Sequence, residues 1–281
     1  MTLLGSEVVA SSRVAGGDIC AASRVALADG RVVFVKTRDG APPGFFAAEA
    51  AGLTWLGEAG GVPVPEVLAV SESELVLSWI APGTPSESAA EAFGVALAAT
   101  HRAGAETFGG TSPGWIGSLP LANDPGTDWP GWYAAHRLLP YLDRAALAPA
   151  DRSAVESVVE SVGALAGPPE PPSRLHGDLW SGNVLWSAAG PAYVVDPAAH
   201  GGHRETDLAM LALFGVAHLD RIVPAYDEAY PLADGWRERV ALHQLFPLLV
   251  HAALFGGGYR AHVGAAARAA LARGDGVSHV P

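Results

Sequence analysis

Cysteine and lysine are almost absent from this 281-residue chain, and each absence limits what the protein can be. A single cysteine, Cys20, excludes an internal disulfide and fits a reducing compartment such as the cytoplasm. Lys36 is the only lysine, so every other basic side chain is an arginine. Long apolar runs are missing too: the best candidate, Leu245 to Phe255, is short and interrupted by Pro247 and His251, so no membrane span is expected. Residues Met1 to Gly17 lack a basic segment followed by an apolar core, so no secretory signal is expected. With 17 basic against 29 acidic residues the net charge is −12, too negative to neutralise a run of nucleic-acid phosphates. Such acidity would favour cationic small partners. What is present is enough apolar content, 49%, to bury a full core and to form two lobes.

The densest chemical pattern is His176-Gly177-Asp178-Leu179-Trp180-Ser181-Gly182-Asn183, with a second acid at Asp196. An acid followed closely by an asparagine, then by another acid after a short turn between apolar runs, is the arrangement a kinase-type phosphotransferase needs. In it Asp178 accepts the proton of a substrate hydroxyl, while Asn183 and Asp196 hold the Mg²⁺ that bridges the phosphates of ATP. Gly177 and Gly182 are expected to let the backbone turn tightly enough to aim both side chains into one cleft. Leu185 and Trp186 read as a short buried strand paired across Ser187 to Pro191 with Tyr193-Val194-Val195, which sets Asp196 at a strand end. A lone HxD would be only a hairpin with capping carboxylates; three spacings that agree favour the catalytic pattern.

Lys36 ends the apolar run Val32-Val33-Phe34-Val35, as a buried strand delivering one charge to a cleft would. A compact ammonium suits the α/β-phosphate position, where guanidinium substitutes poorly, so Lys36 is assigned there rather than to the surface. Asp29-Gly30 separates Ser23–Ala28 from Arg31–Lys36 and signals a hairpin. Gly16-Gly17 ahead of it is a candidate phosphate-facing turn, although adjacent glycines usually mark only a turn and no GxGxxG is present. Phe45 to Glu58 has helical spacing, with Phe46, Leu53 and Leu56 on the buried face. Glu49 in its early turns is the candidate partner of Lys36, against the plainer alternative of a solvated helix glutamate. Glu74 to Ile80 reads as a strand, and the backbone of Ser78, Trp79 and Ile80 would meet the adenine edge.

These features divide the chain into a nucleotide-binding lobe over residues 1–80, a stiff Pro/Gly linker over 81–88 and a helical lobe over 89–281 that carries the catalytic loop and the substrate site. Ala89 to Arg102 is an alanine-rich helix, and Val155, Val158, Val159, Val162 and Leu165 fall on one stripe. The proline run at 168–172 ends that helix. Gly104 to Pro130 reads as an ordered loop over the active-site rim, and Gly274 to Pro281 as a loose tail.

Taken together the chain resembles the fructosamine (ketosamine) kinases, within the aminoglycoside phosphotransferase-like kinases. The resemblance is carried by Gly16-Gly17, Val33–Lys36, Asp128-Trp129-Pro130, Ala135-His136-Arg137-Leu138, the whole His176–Asn183 block, Asp196-Pro197-Ala198, Gly202–Glu205 with Asp207–Met210, and Gln244-Leu245-Phe246 with His251, Phe255 and Tyr259-Arg260. It implies an α+β, two-lobed protein-kinase-like fold: a small antiparallel-sheet N-lobe with one helix and a larger, mainly helical C-lobe. It also implies ATP-dependent phosphorylation of a sugar hydroxyl, typically at the 3-position of a ketosamine, which destabilises the adduct and regenerates the amine. Trp180 is the implied sugar wall, or else a packing residue of the loop. His251 is the implied substrate-side residue, or else a satisfied core histidine, and Asp207 the residue that holds the catalytic loop.

Two departures stand out: the family's second polar residue near Leu254 is missing, and Cys20 lies just after the glycine turn rather than within it. A related kinase acting on aminoglycosides, choline or an amino acid would use the same triad; Trp180 and the Gly202–Glu205 segment favour ketosamines. A non-catalytic nucleotide-binding module is disfavoured because every catalytic position is filled. No APE-like segment follows Asp196, which disfavours a protein kinase. His200 and His203 read as hydrogen-bonding residues rather than metal ligands.

Overall fold

The computed structural model describes residues 2–14, 19–110 and 112–277, with side chains up to residue 272. The expected glycine turn at Gly16 and Gly17 lies outside the described residues. The first part of the chain supplies β1 (Thr2–Leu3), β2 (Ser6–Arg13), β3 (Ala21–Leu27), β4 (Val32–Thr37), α1 (Phe45–Gly57), β5 (Val67–Val70) and β6 (Glu74–Ser78). The strands form one antiparallel sheet in the order β1-β2-β3-β4-β6-β5. The β3–β4 hairpin turns at Gly30, whose φ of 89° is open to glycine at little cost.

Strand alternation decides what faces the cleft. Val33 and Val35 pack with Val25, Leu27 and Val76 on one face of the sheet. Phe34 and Lys36 therefore share the other face with their cross-strand partners Leu77 and Leu75. The α1 helix covers that second face through Phe45, Phe46, Ala50 and Leu53. Phe46, Leu53 and Leu56 are all buried, as their spacing predicts. Each apolar side chain removed from water in this way stabilises the fold by roughly 1.5–3 kcal/mol. The same docking brings Glu49 over Lys36.

After the sheet come α2 (Glu87–Arg102), β7 (Gly114–Ile116), β8 (Leu119–Leu121), α3 (Trp129–Tyr133), a π-helical turn over Ala134–Leu138, α4 (Leu139–Leu142), α5 (Pro149–Leu165), β9 (Ser173–Leu175), β10 (Val184–Trp186), β11 (Ala192–Val194), β12 (His200–Gly202), α6 (Glu205–Phe214), α7 (Leu219–Ala229), α8 (Trp236–Phe255) and α9 (Tyr259–Val277). The Ser86 hydroxyl caps α2 by accepting from the Ala89 N–H at 3.2 Å. Two apolar clusters organise these elements. One joins α3, α4, α5, α8 and α9, with Val155, Val158 and Val162 of the expected stripe buried in it. The other joins α2, α6 and α7 to β10 and β11. The result is the expected α+β, two-lobed kinase-like architecture, and among the described residues no helix is long and apolar enough to cross a membrane.

Several local expectations change. Strands β1, β2 and β5 have no counterpart in the sequence reading, because β2 is exposed along most of its length and offers no apolar alternation. Within the 104–130 segment read as a loop, β7 and β8 form a hairpin, and bridges from Phe108 to Gly126 and from Gly109 to Gly201 tie the loop down on either side. Leu185 is 37% exposed rather than buried, because alternation in its three-residue strand turns it into the cleft while Val184 points inward. Helix α9 continues to Val277, through four of the residues read as tail, since adding turns to a formed helix costs little.

Candidate active site

The two lobes enclose a cleft of about 1200 Å³ whose lining includes Lys36, Glu49, Asp178, Asn183 and Asp196. Lys36 Nζ donates to Glu49 Oε2 at 2.8 Å and to Asp196 Oδ1 at 3.0 Å. Burial alone would lower the Lys36 pKa, but the Asp196 and Glu49 carboxylates outweigh it and hold the ammonium charged. Burial pushes Glu49 up to about 7, and the Asp196 charge adds to the rise while Lys36 opposes it. Among the described residues its Oε1 has no hydrogen-bond partner.

Asp196 lies two residues past β11 with φ of 55°, a left-handed backbone rare outside glycine. This conformation turns its carboxylate back toward Lys36. Val195, just before it, is fixed from two sides: its N–H donates to Asn183 O at 3.1 Å and its carbonyl accepts from His176 Nε2 at 2.9 Å. A carbonyl can only accept, so the His176 proton is on Nε2 and Nδ1 is left to accept from Asp178 N at 3.2 Å. Burial depresses the His176 pKa and keeps the ring neutral, as this bridge requires.

Asp178 occupies the cleft floor half-buried. Burial raises its pKa to about 7, with the Asp196 charge pushing the same way and the Asn183 hydrogen bond opposing. A carboxyl poised near neutrality suits a general base. Asn183 Nδ2 donates to Asp178 O at 2.8 Å and to Asp178 Oδ2 at 3.3 Å, which leaves Asn183 Oδ1 free of those bonds. That oxygen and the 43%-exposed Asp196 carboxylate form a hard-oxygen donor set that fits Mg²⁺.

The catalytic loop is clamped from below by Asp207 of α6. Its carboxylate accepts from His176 N at 2.8 Å and Gly177 N at 3.0 Å, and it contacts His101 Nε2 at 3.2 Å. Burial alone would raise the Asp207 pKa, but the His101 and backbone contacts outweigh it and lower it. His101 is steadied in turn by the Tyr226 hydroxyl at 2.8 Å. Neither His101 nor Tyr226 carries a sequence signal, since each is a single polar residue on an otherwise ordinary helix.

Of the two glycines expected to turn the loop, Gly177 does so, with φ of 81°. Gly182 serves a different end: a Cβ there would sit 2.4 Å from the Trp180 ring, so the missing side chain is the seat of the indole. Trp180 meets Phe214 edge-on at 6.2 Å, and Phe214 lies 4.6 Å from His251. His251 Nδ1 donates to Pro247 O at 2.7 Å, which leaves Nε2 as an acceptor on a ring that lines the cleft. Burial lowers the His251 pKa. Phe214 completes this arc without having been marked by any sequence motif.

At the other end Ser78, Trp79 and Ile80 all line the cleft. Ser78 spends its N–H on Glu66 O and its hydroxyl on Glu66 N, both at 2.9 Å, so it is turned toward β5. Cys20 also lines the cleft, with its thiol pushed up by burial. His200 Nδ1 contacts Ala198 O at 2.8 Å. His203, Glu205 and His243 bring ligand atoms within 4.8 Å of one another, yet Arg239 grips both Glu205 oxygens at 2.5 and 2.9 Å. A carboxylate so paired is a buried ion-pair core, not a vacant metal ligand.

Comparison with known proteins agrees with this geometry. A family model described as fructosamine kinase matches residues 2–273. The chain is 39% identical over 245 residues to a probable ketoamine kinase of Thermus thermophilus, covering 87% of each protein. The crystal structure of a candidate fructosamine-3-kinase from Thermobifida fusca superposes with a TM-score of 0.92 at 52% identity, covering 96% of both chains. A macrolide 2′-phosphotransferase from Brachybacterium faecium shares the fold alone, with a TM-score of 0.61 at 17% identity over 94% of each chain. Lys36, Asp178 and Asp196 thus meet in the cleft of an enzyme that transfers phosphoryl groups to hydroxyls of sugar amines, and the chain belongs to the fructosamine kinase family.

Proposed function

We propose that the protein phosphorylates the 3-hydroxyl of ketosamines such as ribulosamines or fructosamines from Mg-ATP, a step that leads to deglycation of the amine. The observation that carries this reading is Asp178: a carboxyl raised to about 7, on the floor of a cleft with Lys36–Glu49–Asp196 on one side and an aromatic arc on the other. Asp178 takes the proton of the acceptor hydroxyl as that oxygen attacks the γ-phosphorus. Lys36, aimed by Glu49, holds the α- and β-phosphate oxygens. Asn183 Oδ1 and Asp196 would hold magnesium, which neutralises charge on the phosphates when bound. The backbone of Ser78, Trp79 and Ile80 is offered to the adenine edge, with the Ser78 N–H already held by Glu66 O.

On the acceptor side the Trp180 face takes the C–H surface of the sugar, and neutral His251 accepts a hydrogen bond from it. The substrate amine is cationic, which suits a cleft where carboxylates outnumber free cations. The test is ADP release with Mg-ATP against ribuloselysine, fructoselysine, kanamycin, choline and no acceptor, with mass detection of the product. A phosphorylated ketosamine whose appearance depends on Asp178 is expected. Turnover of kanamycin or choline alone would keep the kinase and discard deglycation.

A further inference from the structure

Arg137, in the segment Ala135–Leu138 that carries part of the family resemblance, takes no part in the mechanism above. It is 1% exposed, and among the described residues no carboxylate lies within ion-pair distance of it. Its guanidinium lies 4.3 Å from the Trp132 ring centre and donates to Ala122 O at 2.7 Å and His136 O at 3.1 Å. Burial pulls its pKa down to about 9, still high enough to stay charged near neutrality. Burying a cation with no anion beside it is costly, and the π-helical turn that places it is a device found often at functional sites. The remaining contact shows what the cost supports: Arg137 Nη2 donates to Asn123 Oδ1 at 2.6 Å.

An arginine has no acceptor, so the Asn123 atom that faces it must be the oxygen, and the orientation of the amide is fixed. Asn123 is 6% exposed and lines the cleft, whereas Arg137 does not. The Nδ2 edge therefore turns away from Arg137. Among the described residues its only hydrogen-bond partner is Ser112 O at a long 3.4 Å, and Ser112 and Gly114 beside it both line the cleft. A Cβ on Gly114 would come within 3.2 Å of Nδ2, so the glycine keeps this edge uncovered.

We infer that Asn123, oriented and polarised by Arg137, is a specificity-determining residue whose side-chain N–H donates to an oxygen of the phosphoryl acceptor. The ligand group is a hydroxyl or carbonyl oxygen, because the cation behind the amide strengthens the donor and repels an ammonium. On the ketosamine reading, on which this orientation rests, the sugar end of the substrate meets Asn123 and the charged amine lies toward the carboxylates and the aromatic arc.

Asn123→Asp separates the two ends of the side chain. It leaves an acceptor for Arg137, now as an ion pair, and replaces the donating amide N–H by a carboxylate oxygen that can only accept. Expected are a rise in acceptor KM of about tenfold, the loss of one hydrogen bond, with ATP KM and thermal midpoint held or improved. A series of monodeoxy acceptors then identifies the contact: the analogue lacking the oxygen read by Asn123 should show no further loss with the variant, while the others should. Asn123→Ser carries the same comparison should the aspartate protein not fold. The acceptor used is whichever one wild type turns over best, so failure on ketosamines would overturn the substrate reading and leave this test in force. Acceptor KM within twofold of wild type, or equal losses for every deoxy analogue, would remove Asn123 from the role.

Discussion

The two ends of the cleft are built on opposite physical principles. The phosphate end is a cluster of charges in contact, with Lys36 between Glu49 and Asp196 at 2.8 and 3.0 Å. The end assigned to the acceptor under the proposed function is made of rings and neutral hydrogen-bonding groups: Trp180, Phe214, His251 and the amide of Asn123. Charges at fixed distances serve a step that is the same for every acceptor, since ATP and the transferred group do not change. Rings and amides discriminate by shape and by single hydrogen bonds, so on the proposed function that end decides which acceptor is used. Changes at the first end should therefore lower kcat, and changes at the second should raise acceptor KM.

Asp178 stands between the two, and its loss is the largest effect expected. Asp178→Asn keeps the volume and a contact for Asn183 but cannot take a proton. Turnover should fall by about 10² to 10⁴ with ATP binding nearly intact. Paired measurements of ADP release and calorimetric ATP affinity check this, and near-normal turnover would remove Asp178 as the base.

Acid should dismantle the charged frame through the groups that lie beneath it. Glu205 is held at about 2 against an ordinary 4.5: burial alone would raise it, and the His243 and Arg239 contacts overcome that. Its folded pKa is depressed, so its contribution is complete above pH 4.5 and lost as pH falls from 4.5 toward 2, a term of order 3 kcal/mol. His200 is depressed to about 3 by burial and by nearby Arg137, and so disfavours the fold progressively below pH 6.5. Asp178 and Glu49, both raised to about 7, act in the opposite sense between pH 7 and 4. Between pH 7 and 4.5 the two raised carboxylates outweigh His200, so stability holds or rises, and below about 4.5 the Glu205 and His200 losses combine into a steep decline. Urea midpoints at pH 7, 5.5, 4 and 3 measure this, and Glu205→Gln should flatten the low-pH limb; a midpoint that holds to pH 3 would contradict it.

The same contrast explains how much of the molecule is legible in its sequence. Lys36, Asp178, Asn183 and Asp196 could be named because each is tied to a neighbour a fixed number of residues away, by strand alternation or by a tight loop. Helix α1 was legible for the same local reason, through Phe46, Leu53 and Leu56. The acceptor end is assembled from α6, α8, the catalytic loop and the β7–β8 region, which meet only after folding. Phe214 and Asn123 therefore look like any apolar helix residue and any loop asparagine. Likewise β2 escapes because an exposed strand imposes no apolar period, and Gly182 was given the wrong reason because the ring it accommodates folds back on it.

At the acceptor end, Trp180→Ala should raise acceptor KM by about tenfold while ATP KM stays put, the size of one good aromatic contact. Initial rates with each substrate varied in turn provide the check. A matching change in ATP KM would mean that Trp180 supports the loop as a whole rather than the acceptor.

The smallest effect expected is also the most specific. Gly182 does not have a positive φ, so alanine is permitted by the backbone there and even favoured by chain entropy. What alanine meets is the Trp180 ring at 2.4 Å. Asn183 follows directly in the same turn, with its amide tied to Asp178 and its carbonyl to Val195, so the strain is relieved most cheaply by moving the exposed indole. Gly182→Ala should therefore raise acceptor KM by about threefold, part of the loss of a whole aromatic contact, and leave kcat at saturation nearly unchanged. In the Trp180→Ala background the same substitution should have no effect, because the atom it strikes is gone. A loss that persists in the double variant would place the role of Gly182 in the backbone of the catalytic loop instead.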